Sequence, residues 1–414
     1  MSKSKRHPHN ALVMTARRRS IAELCNFVNG NGFRPSDWKT SGLPIIRIQN
    51  LNGSRSFNYF DGQPKEDWIV EPGELLYAWA GVKGVSFGPT IWPGPKGVLN
   101  QHIYKVIPNE RVDIHWLFAA LKFVTAKIES NAHGFKSSLV HVHKEDITGQ
   151  IVEVPTICEQ KAIAIILRTW DEVIEKLDAL ITKSEKQHEA LIRSLVFGKK
   201  RVESSAESTP QKKYRWFTLP ADWQCKQIGN VACEISTRSR GEDVAEILSC
   251  SKYDGFVRSL EYFKKQVYSA NLTGYKVILR GDFGFPSNHV EEGSIGLQNV
   301  ADIGLVSPIY TVFRFSSEVI DNEYAYYVLK TGAYRHIFET STSASVDRRG
   351  SLRWSEFSKI PFPVPPLMEQ REIVKVLNTS MKRIALLREE KLLFERQKRG
   401  LMQKLLTGEW LVKV

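Results

Sequence analysis

The sequence predicts an α+β protein in which one large unit occurs twice, each time as a mixed α/β globular domain followed by a long helix. Three observations support this fold class. A segment recurs without gaps 210 residues later, apolar residues follow a heptad spacing in both copies, and short strand-like runs precede each copy. The two helices are expected to pack as an antiparallel coiled coil, which gives the chain an internal pseudo-two-fold repeat.

The repeat relates residues 154–202 to residues 364–412. The residues of the first copy that recur unchanged are Val154, Pro155, Glu159, Gln160, Ile163, Leu167, Thr169, Ile174, Leu177, Glu185, Gln187, Leu191, Leu195, Gly198 and Val202. Solenoid repeats have periods of about 20–50 residues, so this longer offset indicates a duplicated large unit. A duplicated chain suits a partner that is itself duplicated or two-fold symmetric.

Both globular regions are predicted to be rich in strands. In the first, short apolar runs at residues 43–48, 74–79 and 98–106 are separated by Gly, Pro, Asn and Asp, which are typical of tight turns. Residues 115–130 carry apolar side chains at helical spacing and predict a helix. In the second region, residues 277–279 and 309–315 predict strands and residues 322–334 predict a helix.

Each long helix carries one apolar seam with alternating steps of four and three residues. The first seam comprises Ile163, Leu167, Trp170, Ile174, Leu177, Ile181, Ser184, His188, Leu191 and Leu195, and the second comprises Ile373, Leu377, Ser380, Ile384, Leu387, Lys391, Phe394, Lys398, Leu401 and Leu405. Gly198 and Gly408 are predicted to end the helices as C-terminal caps. A helix of roughly 40 residues is about 60 Å long.

Two interpretations of the helices stay open at this point. They could form a generic coiled coil that only dimerises the protein. Alternatively, their length could set a distance, because one inserted residue rotates the helix face by about 100° and insertions are then costly. The repeat has no gap, which favours a distance-setting role.

Composition limits the possible partners. The formal net charge of +13 favours a polyanionic partner such as nucleic acid, although a merely basic soluble protein has the same charge. Residues 1–20 are predicted to form a partly disordered basic arm, and residues 199–213 a linker. No apolar run approaches the 18 residues of a membrane span, and the arm lacks the apolar core of a signal peptide, so a cytoplasmic location is expected.

The five cysteines predict neither a disulfide framework nor a zinc site. Their number is odd and none of them has C-x-x-C spacing, as expected of reduced thiols in the cytoplasm. His141 and His143 would share one face of a strand, but no Cys or acidic cluster nearby completes a set of metal ligands.

Motifs for autonomous catalysis are missing from the sequence. It has no G-x-x-x-x-G-K-[ST] phosphate loop, no G-x-G-x-x-G fingerprint and no Asn-Pro-Pro-aromatic segment of the kind that amino-methylating DNA methyltransferases use. Asp282, Phe283 and Gly284 spell a kinase tripeptide, but the other kinase motifs are absent, which favours a turn. The chain is therefore expected not to be an enzyme on its own.

The chain resembles the specificity subunits of type I restriction–modification systems. The motifs that carry the resemblance are the paired helix starts at residues 154–160 and 364–370 and the paired helix ends at residues 194–198 and 404–408. Residues 22–24, 33–38, 44–51 and 97–102 resemble one subtype of the family's target-recognition domains. Residues 281–283, 293–296 and 306–310 resemble another subtype.

The resemblance implies a domain organisation. Residues 21–157 and 214–366 would be target-recognition domains, and residues 158–198 and 367–408 would be the two spacer helices. Each domain would read one half of an interrupted double-stranded DNA site, and the helices would set the gap between the halves. The partners implied are two methyltransferase subunits and the ATP-driven restriction subunits. S-adenosylmethionine, ATP and Mg²⁺ would be bound by those partners, with no cofactor or metal in this chain.

Candidate DNA-reading residues are those with side chains that can reach base edges or phosphates. They are Arg47, Gln49, Asn50, Trp79, Lys83, Asn100, Gln101, His133, Lys136 and Ser137 in the first domain, and Arg280, Asn288, Ser343, Ser345, Arg348, Arg349 and Arg353 in the second. Each of them could instead be a solvated or structural polar group, and Asn100 and Gln101 could equally cap turns.

Two other functions compete with this interpretation. The chain could be a stand-alone DNA-binding or DNA-modifying protein, which the missing cofactor motifs disfavour. It could also be a coiled-coil interaction scaffold without a nucleic-acid role. The positive charge and the polar, cationic segments before each helix disfavour a scaffold.

Overall fold

The computed structural model describes residues 17–82, 84–131, 139–202, 210–240, 245–263, 268–269, 271–342 and 351–413. The chain divides into two compact units. The first unit comprises Met1–Asp178 and Glu389–Val414, and the second comprises Ala179–Arg388. Each unit therefore contains one globular domain, the beginning of the helix that follows this domain, and the end of the other long helix. Among the described helices, none combines the length and apolar character that crossing a bilayer requires.

The first globular domain contains twelve described strands. They are β1 (Arg17–Ser20), β2 (Cys25–Asn29), β3 (Leu43–Ile46), β4 (Tyr59–Phe60), β5 (Ile69–Val70), β6 (Leu75–Ala78), β7 (Ala80–Val82), β8 (Gly88–Ile91), β9 (Gly97–Leu99), β10 (Ile103–Pro108), β11 (Leu139–His141) and β12 (Ile151–Val154). Its α-helices are α1 (Ile48–Leu51), α2 (Ile114–Asn131) and α3 (Lys144–Thr148), followed by the long helix α4 (Ile157–Leu195).

The second globular domain also contains twelve described strands. They are β13 (Gln211–Lys213), β14 (Thr218–Pro220), β15 (Gln224–Gln227), β16 (Ala232–Glu234), β17 (Glu246–Ser251), β18 (Gly255–Arg258), β19 (Lys276–Leu279), β20 (Phe283–Pro286), β21 (Gly296–Leu297), β22 (Ile303–Val306), β23 (Tyr310–Phe315) and β24 (Pro361–Val364). Its α-helices are α5 (Ser259–Phe263), α6 (Asn322–Leu329), α7 (Gly332–Ser341) and α8 (Trp354–Phe357), followed by the long helix α9 (Leu367–Leu406).

The two domains share one sheet topology. The first has an antiparallel sheet in the order β2-β10-β6-β8, and the second has its counterpart in the order β16-β23-β20-β21. A mixed sheet follows in each, β4-β3-β9-β5 and β18-β17-β22-β19, with one parallel pair at the corresponding position. The last strand of each domain pairs with an early strand, β12 with β1 and β24 with β15. The duplication therefore extends through both globular domains.

Equivalent ends of the long helices pack into equivalent cores. In the first unit one apolar cluster contains Trp116, Leu117 and Leu121 of α2, Ile163 and Leu167 of α4, and Leu405 and Leu406 of α9. In the second unit the corresponding cluster contains Tyr324, Ala325 and Leu329 of α6, Ile373 and Leu377 of α9, and Leu195 and Val196 at the end of α4 and directly after it. Full burial of a Leu or Ile side chain contributes about 1.5–3 kcal/mol, so both helix ends are needed for each core.

The long helices run antiparallel within each unit. In the first unit Lys391 Nζ pairs with Asp178 Oδ1 at 2.7 Å, and Lys398 pairs with Asp171. The residue numbers of the paired side chains rise along α9 as they fall along α4, which is the pattern of antiparallel packing. The rings of Trp170 and Phe394 are 5.4 Å apart between them. In the second unit the Arg388 guanidinium pairs with Glu185 at 2.5 Å.

Part of the predicted seam is buried. The buried members are Ile163, Leu167, Ile181, Ser184, His188, Leu195, Ile373, Leu377, Ile384 and Leu405. Two of them, Ser184 and His188, are polar and belong to the second unit. The predicted glycine caps are confirmed, because Gly198 and Gly408 have φ values of +62° and +71° just after the helices end.

Several predicted boundaries were wrong. Part of the predicted basic arm is strand β1, whose hydrogen bonds to β12 hold it in place. The apolar run 98–106 is two strands separated by a turn, and the helix predicted over 322–334 is two helices. The predicted linker also contains structure, because residues 211–213 form β13 and pair with β14. Polar and short strands lack the alternation that would have revealed them.

Candidate nucleic-acid interface

A buried glutamine at the start of each long helix ties that helix to its own domain. Gln160 is 1% exposed. Its Oε1 accepts a hydrogen bond from the backbone N–H of Asp113 at 2.9 Å, and its Nε2 donates to the carbonyl of Pro155 at 3.0 Å. Asp113 in turn caps α2, since its Oδ1 accepts from the N–H groups of His115 and Trp116.

Gln370 makes the same set of hydrogen bonds in the second unit. Its Oε1 accepts from the N–H of Asp321 at 2.8 Å, and its Nε2 donates to the carbonyls of Val319 and Pro365, both at 2.9 Å. Asp321 caps α6 by accepting from two backbone N–H groups. Leaving such buried groups unpaired is costly, so each glutamine fixes its domain on its helix. The repeat identified both glutamines, but only the structure gives their role.

The glutamate before each glutamine has different hydrogen-bond partners in the two units. Glu369 binds the Arg201 guanidinium at 2.5 and 2.8 Å and accepts from Trp223 Nε1 at 3.1 Å. Glu159 instead accepts from the N–H and hydroxyl of Thr156, both at 2.8 Å, as in a capping box. Arg201 lies in the predicted linker, and its structural role had no signal in the sequence.

Three rings meet at a surface corner of the first domain where β6 ends. The Trp79 ring centroid lies 4.9 Å from that of His141 and 5.1 Å from that of His102. The backbone N–H of Trp79 donates to the carbonyl of His102 at 3.3 Å, and Val142 N–H donates to the carbonyl of Trp79 at 3.2 Å. Trp79 and His102 are half-buried and His141 is exposed. We call Trp79, Gln101, His102 and His141 the aromatic corner.

Gln101 is the exposed amide of the aromatic corner. Trp79 Nε1 donates to the backbone carbonyl of Gln101 at 3.1 Å, and the side-chain Nε2 of Gln101 lies 3.3 Å from His102 Nε2. Asn100 shapes the same turn, because its Oδ1 accepts from the N–H of Gln101 at 2.6 Å. An amide held in this way can present both a donor and an acceptor to a base edge, as glutamine does with adenine.

The second domain carries the same backbone corner without the rings. Ser287 N–H donates to the carbonyl of Ile309 at 3.3 Å, and Leu352 N–H donates to the carbonyl of Ser287 at 2.8 Å. Ser287 thus stands where the first domain has Trp79, and Ile309 stands where it has His102. The two domains present different chemistry from one backbone frame.

A second group of candidates surrounds α1. The Arg47 guanidinium lies 5.0 Å from the Trp38 ring centroid, within reach of a cation–π interaction. Gln49 is exposed and donates to the carbonyl of Ser56 at 3.3 Å. Asn50 is 5% exposed, and its amide donates to the carbonyls of Ser54 and Ser56. In this conformation Asn50 supports its own loop and offers no free amide to a base.

Two described candidates of the second domain, Asn288 and Arg353, adjoin its corner, because they directly follow Ser287 and Leu352 in the chain. Arg280 is exposed and its Nε donates to Asp302 at 2.9 Å. Arg353 is exposed just before α8, and Asn288 is half-buried. Eight further candidates lie outside the described residues: Lys83, His133, Lys136, Ser137, Ser343, Ser345, Arg348 and Arg349.

Several residues of types that can catalyse reactions or bind metals are buried here and stabilise the fold. Asp282 is fully buried, accepts from Leu279 N–H at 2.8 Å and binds Arg314 Nε at 2.6 Å, as predicted for a turn. Burial raises the pKa values of the Cys25 and Cys250 thiols to about 12, so both are protonated and poor metal ligands. The sequence did not indicate one further group, His289, Glu291 and Glu292. Their possible metal-ligand atoms lie within 4.8 Å of one another at the surface.

The chain matches one protein family in both halves of the repeat. The family is described as type I restriction modification DNA specificity domain, and the match covers residues 16–184 and 220–395. The chain belongs to this family. The two matched segments follow the duplication seen in the sequence and in the sheet topology, so each half of the chain is one specificity domain.

Curated specificity subunits are similar over most of their length. The type I restriction enzyme MjaVIII specificity subunit of Methanocaldococcus jannaschii is 26% identical over 356 residues, which cover 83% of this chain and 81% of that protein. The EcoBI specificity subunit of Escherichia coli is 22% identical over 394 residues, covering 86% of this chain and 77% of that protein.

Solved structures share the fold of this specificity-domain chain. One comes from work on complex assembly and conformational transition of the type I restriction–modification system, with a TM-score of 0.59, 16% identity and coverage of 96% of this chain and 99% of that one. The type I specificity subunit from M. genitalium has a TM-score of 0.50 and 15% identity, and the match covers 96% and 98% of the two chains. These structures show the shared fold. The family match and the curated relatives show the role of this chain, which is sequence-specific DNA recognition within a type I restriction–modification system.

Proposed function

We propose that each globular domain reads one half of an interrupted double-stranded DNA site and that the length of the long helices sets the spacer between the halves. The observation that carries the proposal is the shared frame with different surfaces. Both domains have the same sheet topology and the same glutamine clamp, by which we mean the hydrogen bonds of Gln160 and Gln370 that hold each domain on its helix. The exposed side chains differ, because Ser287 and Ile309 of the second domain take the positions of Trp79 and His102. Two domains that share a backbone frame but expose different side chains are suited to two DNA half-sites of different sequence.

The aromatic corner is the proposed reading surface for the first half-site. Gln101 would contact a base edge, Arg47 and Gln49 would contact neighbouring bases or phosphates, and Asn100 and Asn50 would shape the loops that present them. The remaining candidates that we assign to DNA contact are Lys83, His133, Lys136, Ser137, Arg280, Asn288, Ser343, Ser345, Arg348, Arg349 and Arg353. The net charge of +13 supports phosphate contacts in addition to base contacts.

The chemistry of methylation and cleavage would belong to partner subunits in the cytoplasm. We assign methyl transfer from S-adenosylmethionine to two methyltransferase subunits, and ATP-dependent, Mg²⁺-dependent cleavage to restriction subunits. Asp282 supports a non-catalytic chain, because its carboxylate is used by Arg314 and a backbone N–H in a buried turn. This chain would direct those partners to the DNA site.

Methylome sequencing tests the proposal directly. Cells that express this chain with its cognate methyltransferase are compared with cells that express the methyltransferase alone. The expected result is a methylated, interrupted two-part motif that is lost without this chain. Unchanged methylation by an active methyltransferase would instead favour a scaffold, and methylation by the purified chain alone would favour a stand-alone enzyme.

A further inference from the structure

A cavity of about 270 Å³ lies in the first unit between α2 and the two long helices. Its walls include the apolar side chains of Phe118, Ala119, Leu167 and Met402. Lys122, Lys398 and Asp171 also line it. An apolar cavity of about 150 Å³ is large enough for benzene, so this one can take an aromatic ring together with a polar substituent.

The cavity exists because the first unit has a small residue where the second has a large one. Asp113 and Asp321 cap α2 and α6 in the same way and therefore align the two helices. Ala119 and Tyr327 each stand six residues after the cap. Ala119 thus leaves open the space that the Tyr327 side chain occupies in the second unit.

Two contacts show what fills that space in the second unit. The Tyr327 hydroxyl donates to Asn378 Oδ1 at 2.7 Å, and its ring centroid lies 6.2 Å from that of His188. In the repeat, Asn378 corresponds to Arg168 and His188 to Lys398, and both counterparts line the cavity of the first unit. An aromatic ring with a polar edge is therefore the shape that this site accepts.

The cavity also contains an ammonium group without an oxygen partner. Lys122 Nζ lies 4.5 Å from the Phe118 ring centroid, and within the described part of the chain it donates no hydrogen bond to an oxygen. Its counterpart Lys330 donates to the carbonyls of Lys252 and Gly293, both at 2.9 Å. Desolvation lowers the pKa of Lys122, and the carboxylates of Asp171 and Glu175, which also line the cavity, oppose this shift. A further carboxylate within hydrogen-bond distance of Lys122 Nζ would stabilise its charged form.

We infer that this cavity is a docking site for a partner protein segment that inserts an aromatic side chain and places a carboxylate on Lys122. Phe118, Leu167 and Met402 would pack around the ring, in the place that Tyr327 fills from within the chain in the second unit. Lys122 would supply charge complementarity, since Lys398 is already paired with Asp171. The inference rests on the proposed function, in which the partner is a methyltransferase subunit bound to the first unit.

The first test uses a small probe with the inferred chemistry. Binding of 4-hydroxyphenylacetate to the full chain is measured by saturation-transfer NMR and titration. We expect binding to the unmodified chain and none to Ala119→Tyr, which fills the cavity as Tyr327 does. Lys122→Met should bind roughly tenfold to 100-fold more weakly, because a hydrogen bond to a charged group is lost.

Ala126→Tyr is the matched control, because Ala126 is exposed on α2 and does not line the cavity. It should bind the probe as the unmodified chain does. Ala119→Tyr should melt at the same temperature as the unmodified chain or higher, which separates a filled cavity from unfolding. Equal probe binding by Ala119→Tyr and Ala126→Tyr, or no binding by the unmodified chain, would overturn the inferred site.

The second test addresses the protein partner. Each variant is co-expressed with the cognate methyltransferase, and the number of bound methyltransferase copies is measured by native mass spectrometry. Ala119→Tyr and Lys122→Met should lose one copy, while Ala126→Tyr keeps the full number. If all variants keep every copy, the methyltransferase does not dock in this cavity, although the proposed function stands. If the unmodified chain binds no methyltransferase, the proposed function and the protein occupant both fail, and the probe measurement still decides the cavity.

Discussion

The aromatic corner of the first domain and the Ser287 corner of the second have one backbone arrangement and different side chains. In both, the residue after a central strand donates to one neighbouring segment and accepts from another. The first corner then exposes rings and an amide, whereas the second has a serine and an isoleucine. By contrast, the glutamine clamps are alike in both partners and distances. Hydrogen bonds that hold the frame are thus retained while the exposed positions differ.

Exchange of a whole domain should have the largest effect on this contrast. Replacing residues 21–157 with the corresponding domain of another specificity subunit should change one half of the methylated motif completely and leave the other half as it was. The physical reason is that the replaced surface is confined to the first unit. Methylome sequencing measures the outcome, and a change in both halves would contradict separate readers.

A change in helix length should alter the spacer without altering either reader. Inserting four residues, about one helical turn, into α4 near Ser184 is expected to lengthen the spacer of the methylated motif, because the glutamine clamps hold each domain on its helix. The same sequencing experiment gives both half-sites as an internal control. New half-sites with the old spacer would show that the helices do not set the distance.

Removal of a glutamine clamp tests whether the two frames are equivalent. Gln160→Ala and Gln370→Ala each leave a buried backbone N–H and carbonyl groups unpaired, so we expect each to reduce the free energy of unfolding by about 2–4 kcal/mol. Urea titration followed by circular dichroism measures the loss. Gln187→Ala, on the exposed face of α4, is a control with little expected effect. A large loss for only one clamp would break the equivalence.

Substitution of Gln101 tests the aromatic corner itself. Gln101→Ala should relax base preference at one position of one half-site, by about 1–3 kcal/mol of discrimination if the contact is bidentate. Methylation rates on DNA with each base at every position of the motif measure this discrimination. Ser287→Ala changes the corresponding corner of the second domain and should leave the first half-site unaltered. An intact preference in Gln101→Ala would remove Gln101 from the reading surface.

The smallest predicted effect concerns a buried histidine. Desolvation lowers the pKa of His188 below its ordinary value near 6.5. At acidic pH the unfolded chain therefore binds a proton that the folded chain does not, and stability falls as the pH drops below about 6.5. His188→Leu should reduce the loss of unfolding free energy between pH 7 and pH 5, measured by urea titration. An unchanged pH dependence would show that His188 binds a proton equally well in the folded and the unfolded chain.

The sequence predicted the elements that have strong periodicity. Both long helices, their caps and α2 follow from apolar spacing and glycine, because a helix presents one face repeatedly. Strands β1 and β13 were missed, because Arg17–Ser20 and Gln211–Lys213 are polar and are held mainly by backbone hydrogen bonds. The break between α6 and α7 was missed as well, since Tyr334 continues the apolar spacing beyond it.

The candidate site was less predictable than the fold. Trp79 and Gln101 were selected for their chemistry, but their contact depends on pairing between strands far apart in the chain. Asn50 was selected for the same reason and is buried against its own loop. The role of Gln160 at the N-terminus of α2 also needs tertiary structure, because Asp113 lies 47 residues away.

The first unit has a consequence for synthesis of the chain on the ribosome. Its core includes Leu405 and Leu406, whereas the second unit ends at Arg388. Although it begins earlier in the sequence, the first unit is the later one to receive all its residues. A nascent or prematurely terminated chain can therefore complete the core of the second unit while that of the first still lacks these leucines.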